Sequence, residues 1–376
     1  MVRIRFILFL LLSGIAFACR DPYKPAIVSS SESYLVVEGV LNAGTGPTDI
    51  RLSRTFKLDD TAHFQTEDNA YVAVEGKDNI TRQLVMNGGG IYSSPNLGLV
   101  LGQEYRLHII TTNGKEYLSE YITAKKTPLM DSVSFRQNDK GVQIYVTTHD
   151  PANNTRYYLW NFDETWEIWS YYHSNWKFEN DVVHYRTPAE DVSTCWKYAN
   201  STNIITGTSA SYQTDSLPEA PVNFIGNGDE KLAVRYSILV RQYALDKKGY
   251  EFYELMKKNT ESLGTIFDAQ PSQIKGNIFS VSDPTDPVIG YITASTVDEK
   301  RIFIERADLV DWRFDQFCQS IKIPNDLDSI RSAYSQGQQI YQEVYYGPFI
   351  VAYLFSIGRC VDCTERNGST LRPPYW

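Results

Sequence analysis

Beyond its first residues the chain has no apolar run that approaches the roughly 20 residues a membrane-crossing helix needs. The body that follows is therefore expected to be soluble apart from any covalent anchor. Several catalytic signatures are also missing. There is no G-x-S-x-G elbow, no H-E-x-x-H, no phosphate-binding glycine loop and no G-x-G-x-x-G after a strand. Histidine is scarce, and the five present (His63, His108, His149, His173, His184) are scattered, so no metal site and no cofactor is expected. Positive charge is in deficit, with 36 Lys and Arg against 45 Asp and Glu and a net charge of -9. This argues against nucleic acid or an anionic surface as the main partner, since both require a basic patch. No internal repeat or low-complexity tract is found. The chain nominates no catalytic residue and is expected not to be an enzyme, although sites can also assemble from distant residues.

What is present begins at the N-terminus. Arg3 and Arg5 precede the apolar stretch Phe6 to Leu12, and Ala16-Phe17-Ala18-Cys19 forms a small-residue exit. Two cleavage patterns compete. In one, a lipoprotein peptidase cuts before Cys19, whose thiol carries lipid as a thioether. In the other, Ala16 and Ala18 form an ordinary A-x-A exit. The cysteine at the cleavage point favours lipidation. Residues 1–18 are then a signal peptide and residues 19–33 a lipidated tether, extended and Pro/Ser-rich. Expected localisation is the cell envelope, with the membrane as partner through the anchor.

With Cys19 set aside, Cys195, Cys318, Cys360 and Cys363 form an even set in an exported chain, so two disulfides are expected, with three connectivities open. Cys360-Val361-Asp362-Cys363 also fits a redox pair or half a zinc site, but structural bridging is the favoured role. Tyr is abundant at 26 residues, which suits half-buried strand surfaces. A sharper alternative is a stacking face for sugars or peptides, built from the segment Tyr157 to Trp176 with Trp160, Trp166, Trp169 and Trp176 as ligand-binding candidates.

Along the chain, short strands alternate with turns. Tyr34 to Leu41, Asp49 to Thr55, Ala70 to Glu75 and Glu104 to Thr112 read as strands, and Asn113-Gly114 is the strongest hairpin signal. This spacing predicts an antiparallel Ig-like or transthyretin-like β-sandwich over residues 34–127, with a boundary at Lys125-Lys126-Thr127-Pro128. Residues 128–376 are expected to form a larger β-rich domain with one or two helices. Asp246 to Asn259 carries the better helical period, and Leu327 to Tyr334 a weaker one. Tyr345 to Ile357 reads as a late strand interrupted at Gly347-Pro348. Asp283-Pro284-Thr285-Asp286 is expected to be a capped turn rather than a calcium loop, and His149-Asp150 to point its side chains apart. Four Asp-Ser/Thr-apolar triplets, beginning at Asp60, Asp131, Asp215 and Asp328, match a short O-glycosylation sequon.

Cys19-Arg20-Asp21-Pro22-Tyr23 together with Leu35-Val36-Val37-Glu38-Gly39 resembles the opening of domain-of-unknown-function family 4249, outer-membrane lipoproteins of Bacteroidetes. Leu52-Ser53-Arg54-Thr55, Leu263 to Asp268, Gly290-Tyr291-Ile292 and Cys360 to Cys363 with Pro374-Tyr375-Trp376 look similar as well. The resemblance implies a surface or periplasmic lipoprotein, often associated with TonB-dependent outer-membrane transporters, and supplies no catalytic residues. The expected function is an accessory or binding component of such a transporter. The alternative is a glycan- or peptide-binding module using residues 157–176.

Overall fold

In the strand Glu104–Ile110 every second side chain is apolar, and Tyr105, Leu107 and Ile109 are fully buried while their neighbours are only half-buried. Side chains alternate across a strand, so this pattern places one face in a core. The computed structural model that contains this strand describes residues 33–55, 65–261 and 275–376. The signal segment, Cys19, the tether up to residue 32, the triplet at Asp60 and the stretch Leu263 to Asp268 lie outside the described residues.

Glu104–Ile110 belongs to the first of two sandwiches. One of its sheets holds Leu35–Asn42, Thr48–Arg54, Ile91–Ser94 and Val85–Gly88 in that order, and the other contains Glu116–Ser119, Glu104–Ile110, Tyr71–Gly76 and Thr81–Gln83. Leu35, Val37, Ile50 and Leu52 from the first sheet pack with Val72, Val74, Leu107 and Ile109 from the second into one core. Each such side chain taken fully out of water contributes about 1.5–3 kcal/mol. Asn113-Gly114 does form the connection between Glu104–Ile110 and Glu116–Ser119, with Ile110 opposite Glu116 and Gly114 at φ +80°.

Strands from much later in the chain join this sandwich. Val288–Ile289 and Thr293–Ser295 pair in parallel with Leu35–Asn42, and Ile278–Ser280 pairs antiparallel with Glu116–Ser119. Ile278, Val288, Ile292 and Ala294 are members of the same core. The Asp283 turn lies between these strands. Asp283 accepts hydrogen bonds from the Thr285 N–H and hydroxyl, and Asp286 turns inward to the Lys115 ammonium (2.9 Å) and the Tyr117 hydroxyl (3.0 Å).

The second sandwich packs the sheet Met130–Asn138, Gly141–His149, Ser216–Gly226 against a sheet ordered Thr194–Asn200, Tyr157–Trp169, Arg235–Leu245, Val297–Glu305. Val142, Ile144, Val146 and Ile225 meet Tyr158, Trp160, Ile238 and Val240 in its core. Beyond it, a smaller unit holds the hairpin Gln338–Tyr346 and Phe349–Ile357, with Ile321–Pro324 on its edge and the hairpin Trp176–Glu179 and Val182–Tyr185 beside it. Trp176, Ile330, Ile340, Tyr353 and Phe355 form the core of this unit. The late strand expected over Tyr345 to Ile357 is in fact two antiparallel strands. Gly347-Pro348 is their turn, with Gly347 at φ +59°, a conformation that reverses the chain rather than merely kinking it.

Among the described residues two helices exceed one turn. Helix α1 (Lys247–Glu261) begins where the Asp246 carboxylate accepts the Gly249 N–H at 2.6 Å, and α2 (Leu327–Ser335) where Asp326 accepts the Ser329 N–H at 2.9 Å. Helix α1 bridges the sandwiches. Phe252 packs on Tyr291 of the first (ring centroids 5.5 Å apart), and Tyr250 on Tyr157 of the second (5.2 Å). The architecture is mostly β with a minor helical part.

Candidate functional site

The four tryptophans proposed as a platform do not share an open face. Strand alternation turns Trp160 inward, where it is 1% exposed and its indole N–H donates to Gln242 Oε1 at 2.8 Å. Trp176 is buried at 7% and donates to Glu343 at 2.7 Å, and Trp166 is half-buried beneath the Lys231 ammonium. Only Trp169 is open, at 57% exposure.

The four remaining cysteines form two disulfides, Cys195–Cys363 and Cys318–Cys360, with Cα atoms 5.8 and 5.9 Å apart. The C-x-x-C pair is thus split between two bridges and does not close on itself. Among the described residues no group of three His, Cys, Asp or Glu stands close enough to hold a metal ion. His149 and Asp150 do diverge. The His149 Nδ1 lies 2.8 Å from Asp131, whose carboxylate raises the imidazole above its ordinary range, while Asp150 accepts backbone N–H groups of Ala152, Asn154 and Thr155. Of the glycosylation triplets described, Asp131-Ser132-Val133 presents an exposed hydroxyl, whereas Asp215 is buried against Tyr158 and Ser209.

A cleft runs between the sandwiches, with two adjacent cavities of about 730 and 560 Å3 that share Gly39, Val40 and Asn161 as lining. Each falls within the size range of small-ligand pockets. The larger cavity is polar and is lined by Asp49 and the Thr45-Gly46-Pro47 turn on one wall, with Arg241, Tyr243 and Glu299 on the other. The smaller is lined by the apolar and aromatic groups of Leu159, Phe252, Tyr253, Met256 and Tyr291, together with the polar Glu38, Thr202, Asn203 and Thr260. Asn161 stands at the waist. Its Nδ2 donates to the Tyr243 hydroxyl at 3.2 Å, while its buried Oδ1 has no hydrogen-bond partner.

The strands set this lining by their outward faces. Val36, Glu38 and Val40 alternate with the core residues Leu35 and Val37, so the face that lines the cleft is the side of the sheet turned away from its own core. Arg241 is held by Asp163 and, at 2.7 Å, by Glu299; the Asp163 hydrogen bond, opposed by burial, raises the guanidinium further above its ordinary value. Burial raises the Tyr253 and Tyr291 phenols, so both remain neutral.

A second surface lies on the smaller unit. Tyr345, Tyr346 and Phe349 flank the Gly347-Pro348 turn at 54, 79 and 71% exposure. Tyr185, at 60%, stacks on Trp176 with ring centroids 3.9 Å apart and lies near Tyr345. Residues 157–176, where a stacking face was expected, keep Trp169 and Tyr171 open at 57 and 55%, and these four rings lie outside that segment. The signal for them was an aromatic cluster on a two-residue turn, where side chains project past the sheet. Arg241 and Asn161 carried a signal as well: polar residues on the outward positions of strands whose other face is apolar.

Fold and cleft together define a disulfide-linked tandem β-sandwich protein. The chain belongs to the family described as a domain of unknown function (DUF4249), whose family model matches residues 20–301. Comparison with curated proteins finds no match. The matched range takes in both walls of the cleft, while Cys318, Cys360, Cys363 and the aromatic turn lie beyond it.

Proposed function

We propose that the protein is a cell-envelope lipoprotein of the outer membrane, anchored through Cys19, that works as a binding or accessory component beside a TonB-dependent transporter. The observation that carries the binding role is the cleft, in which a polar cavity and a more aromatic one adjoin between the two sandwiches. The anchor rests on the signal grammar of residues 1–19, and the transporter association on the lipoproteins the sequence resembles. Several acyl chains on one cysteine give stable anchoring where a single chain is marginal. Crosslinking at native expression level followed by mass spectrometry tests the association, and a complete absence of outer-membrane transporters among the products overturns it. Cys19→Ser tests the anchor, because it is expected to move the protein from the membrane to the soluble envelope fraction.

A glycan- or peptide-stacking role remains the second reading, moved from the tryptophan segment to the open rings of Tyr185, Tyr345, Tyr346 and Phe349. Loss of glycan or peptide retention on Tyr346→Ser with Phe349→Ser supports it, and unchanged retention removes it.

A further inference from the structure

We infer that the inter-sandwich cleft takes an amphipathic amine: a ligand with a positively charged nitrogen at the Asp49 and Glu299 end and an aromatic or branched aliphatic group at the Phe252 and Met256 end. This inference rests on the reading of the cleft as the binding site and adds the chemical class of what enters it.

The charge inventory decides the sign. Among the described residues that line the two cavities Arg241 is the only cation, and it is engaged by both Asp163 and Glu299. One guanidinium thus faces two carboxylates, and Asp49 adds a third whose hydrogen-bond partner is the neutral Ser93 hydroxyl. Glu38 also lines the smaller cavity, where its carboxylate acts on the Tyr253 phenol, and it stands opposite Arg51 in the strand register. The polar end therefore carries net negative charge on Asp49 and Glu299, both on exposed positions that retain contact with water. Among the described lining residues no cation besides the engaged Arg241 offsets the repulsion that an anionic ligand would meet there. A cationic one gains charge-assisted hydrogen bonds, which are about twice as strong as neutral ones.

The apolar end decides the rest. Phe252 and Tyr291 pack against each other at 5.5 Å between centroids, and Tyr253 spends its hydroxyl on the Tyr291 carbonyl at 3.3 Å. With Met256 these groups offer ring faces and a flexible thioether, a surface suited to an apolar ligand group, beside the polar Thr202, Asn203 and Thr260. The waist supplies Asn161, whose side-chain carbonyl lacks a donor, as the natural partner for a ligand N–H once the side chain turns toward it.

The test uses the mature full chain and two probes of one shape and opposite charge, 2-phenylethylamine and 3-phenylpropionate, with binding followed by saturation-transfer NMR and calorimetry. The amine is expected to bind and the carboxylate not to bind. Asp49→Asn with Glu299→Gln is expected to weaken the amine at least tenfold, and Met256→Trp, which fills the apolar cavity, to abolish it in a chain whose thermal unfolding is unchanged. Equal binding of both probes, or amine binding that ignores Asp49→Asn with Glu299→Gln, overturns the inference. Carboxylate binding lost in Met256→Trp overturns the amine class while leaving the cleft as the site. If neither probe binds, this inference fails, while the transporter association stands or falls separately on crosslinking.

Discussion

Gly290 lies against Val37 so closely that a Cβ at position 290 would stand 2.3 Å from the Val37 carbonyl oxygen. This contact closes the parallel pairing of Val288–Ile289 with Leu35–Asn42 and forms part of the cleft wall. Gly290→Ala must therefore push the two strands apart. The expected loss of stability is about 1–3 kcal/mol, the range for overpacking, read as a lowered midpoint in chemical denaturation. A variant as stable as the parent would show that the strands tolerate separation.

The same pairing bears on where a folding unit ends. Ile278, Val288, Ile292 and Ala294 are packed into a core otherwise drawn from residues 35–124. A fragment of residues 34–127 exposes the sites these side chains cover and leaves the edge of Leu35–Asn42 unpaired. It is expected to be unfolded or aggregated by circular dichroism and gel filtration, and addition of residues 275–296 by a linker to restore a cooperative transition. A monomeric fragment with sharp unfolding would contradict this.

Legibility in the sequence followed the range of the physics. Alternation within Glu104–Ile110, the turn at Asn113-Gly114 and the helical period after Asp246 act over a few residues, and all are visible in a single segment. The return of residues 278–295 to the first sandwich is set by contacts across more than a hundred residues, which no local pattern records. The strand Ser216–Gly226 was hidden for another reason: Pro218 and Pro221 break the propensity signal, and they are tolerated because this strand is an edge of its sheet. The tryptophans misled because periodicity tells that a strand has two faces but not which of them meets another sheet. Trp160 faces the core because Val142, Ile144 and Val146 lie across from it.

That distinction separates two substitutions. Trp160 is fully buried, and its indole N–H satisfies Gln242, whose amide in turn donates to Thr148 Oγ1 and the Pro128 carbonyl, each at 2.9 Å. Trp160→Ala removes the packing and leaves a buried amide oxygen without its donor. It is expected to destabilise the chain by about 3–5 kcal/mol. Trp169→Ala, on an open position, is expected to change stability by less than about 1 kcal/mol. Thermal unfolding of the two variants checks the order, and equal effects would refute the assignment of Trp160 to the core.

The disulfides differ in the length of chain they close. Cys195–Cys363 spans 168 residues and Cys318–Cys360 spans 42. Restricting the unfolded chain gives the longer loop the larger entropic effect, about 5 against 4 kcal/mol as upper values. Cys195→Ala with Cys363→Ala is expected to lower the unfolding midpoint more than Cys318→Ala with Cys360→Ala. The reverse order, measured under identical conditions, would show that local packing outweighs loop closure.

Glu190 offers a test of the electrostatics around the smaller unit. The Lys177 ammonium pairs with its carboxylate, and the Thr187 N–H and hydroxyl each donate to it at 2.9 Å. These contacts favour the ionised form and lower its pKa from 4.5 to about 2. Because the folded value is depressed, the stabilising contribution is present above about pH 4.5 and disappears as the pH falls from there through about 2. The group is open to solvent, so salt is expected to screen the effect. Carbon-13 NMR titration of the Glu190 carboxyl should show a midpoint near 2, and Lys177→Met should move it upward toward 4.5. Since Lys177 lies in the hairpin that carries Tyr185, the same substitution is expected to loosen the Tyr185 ring. A midpoint that ignores Lys177→Met would mean that the Thr187 turn alone holds the carboxylate ionised.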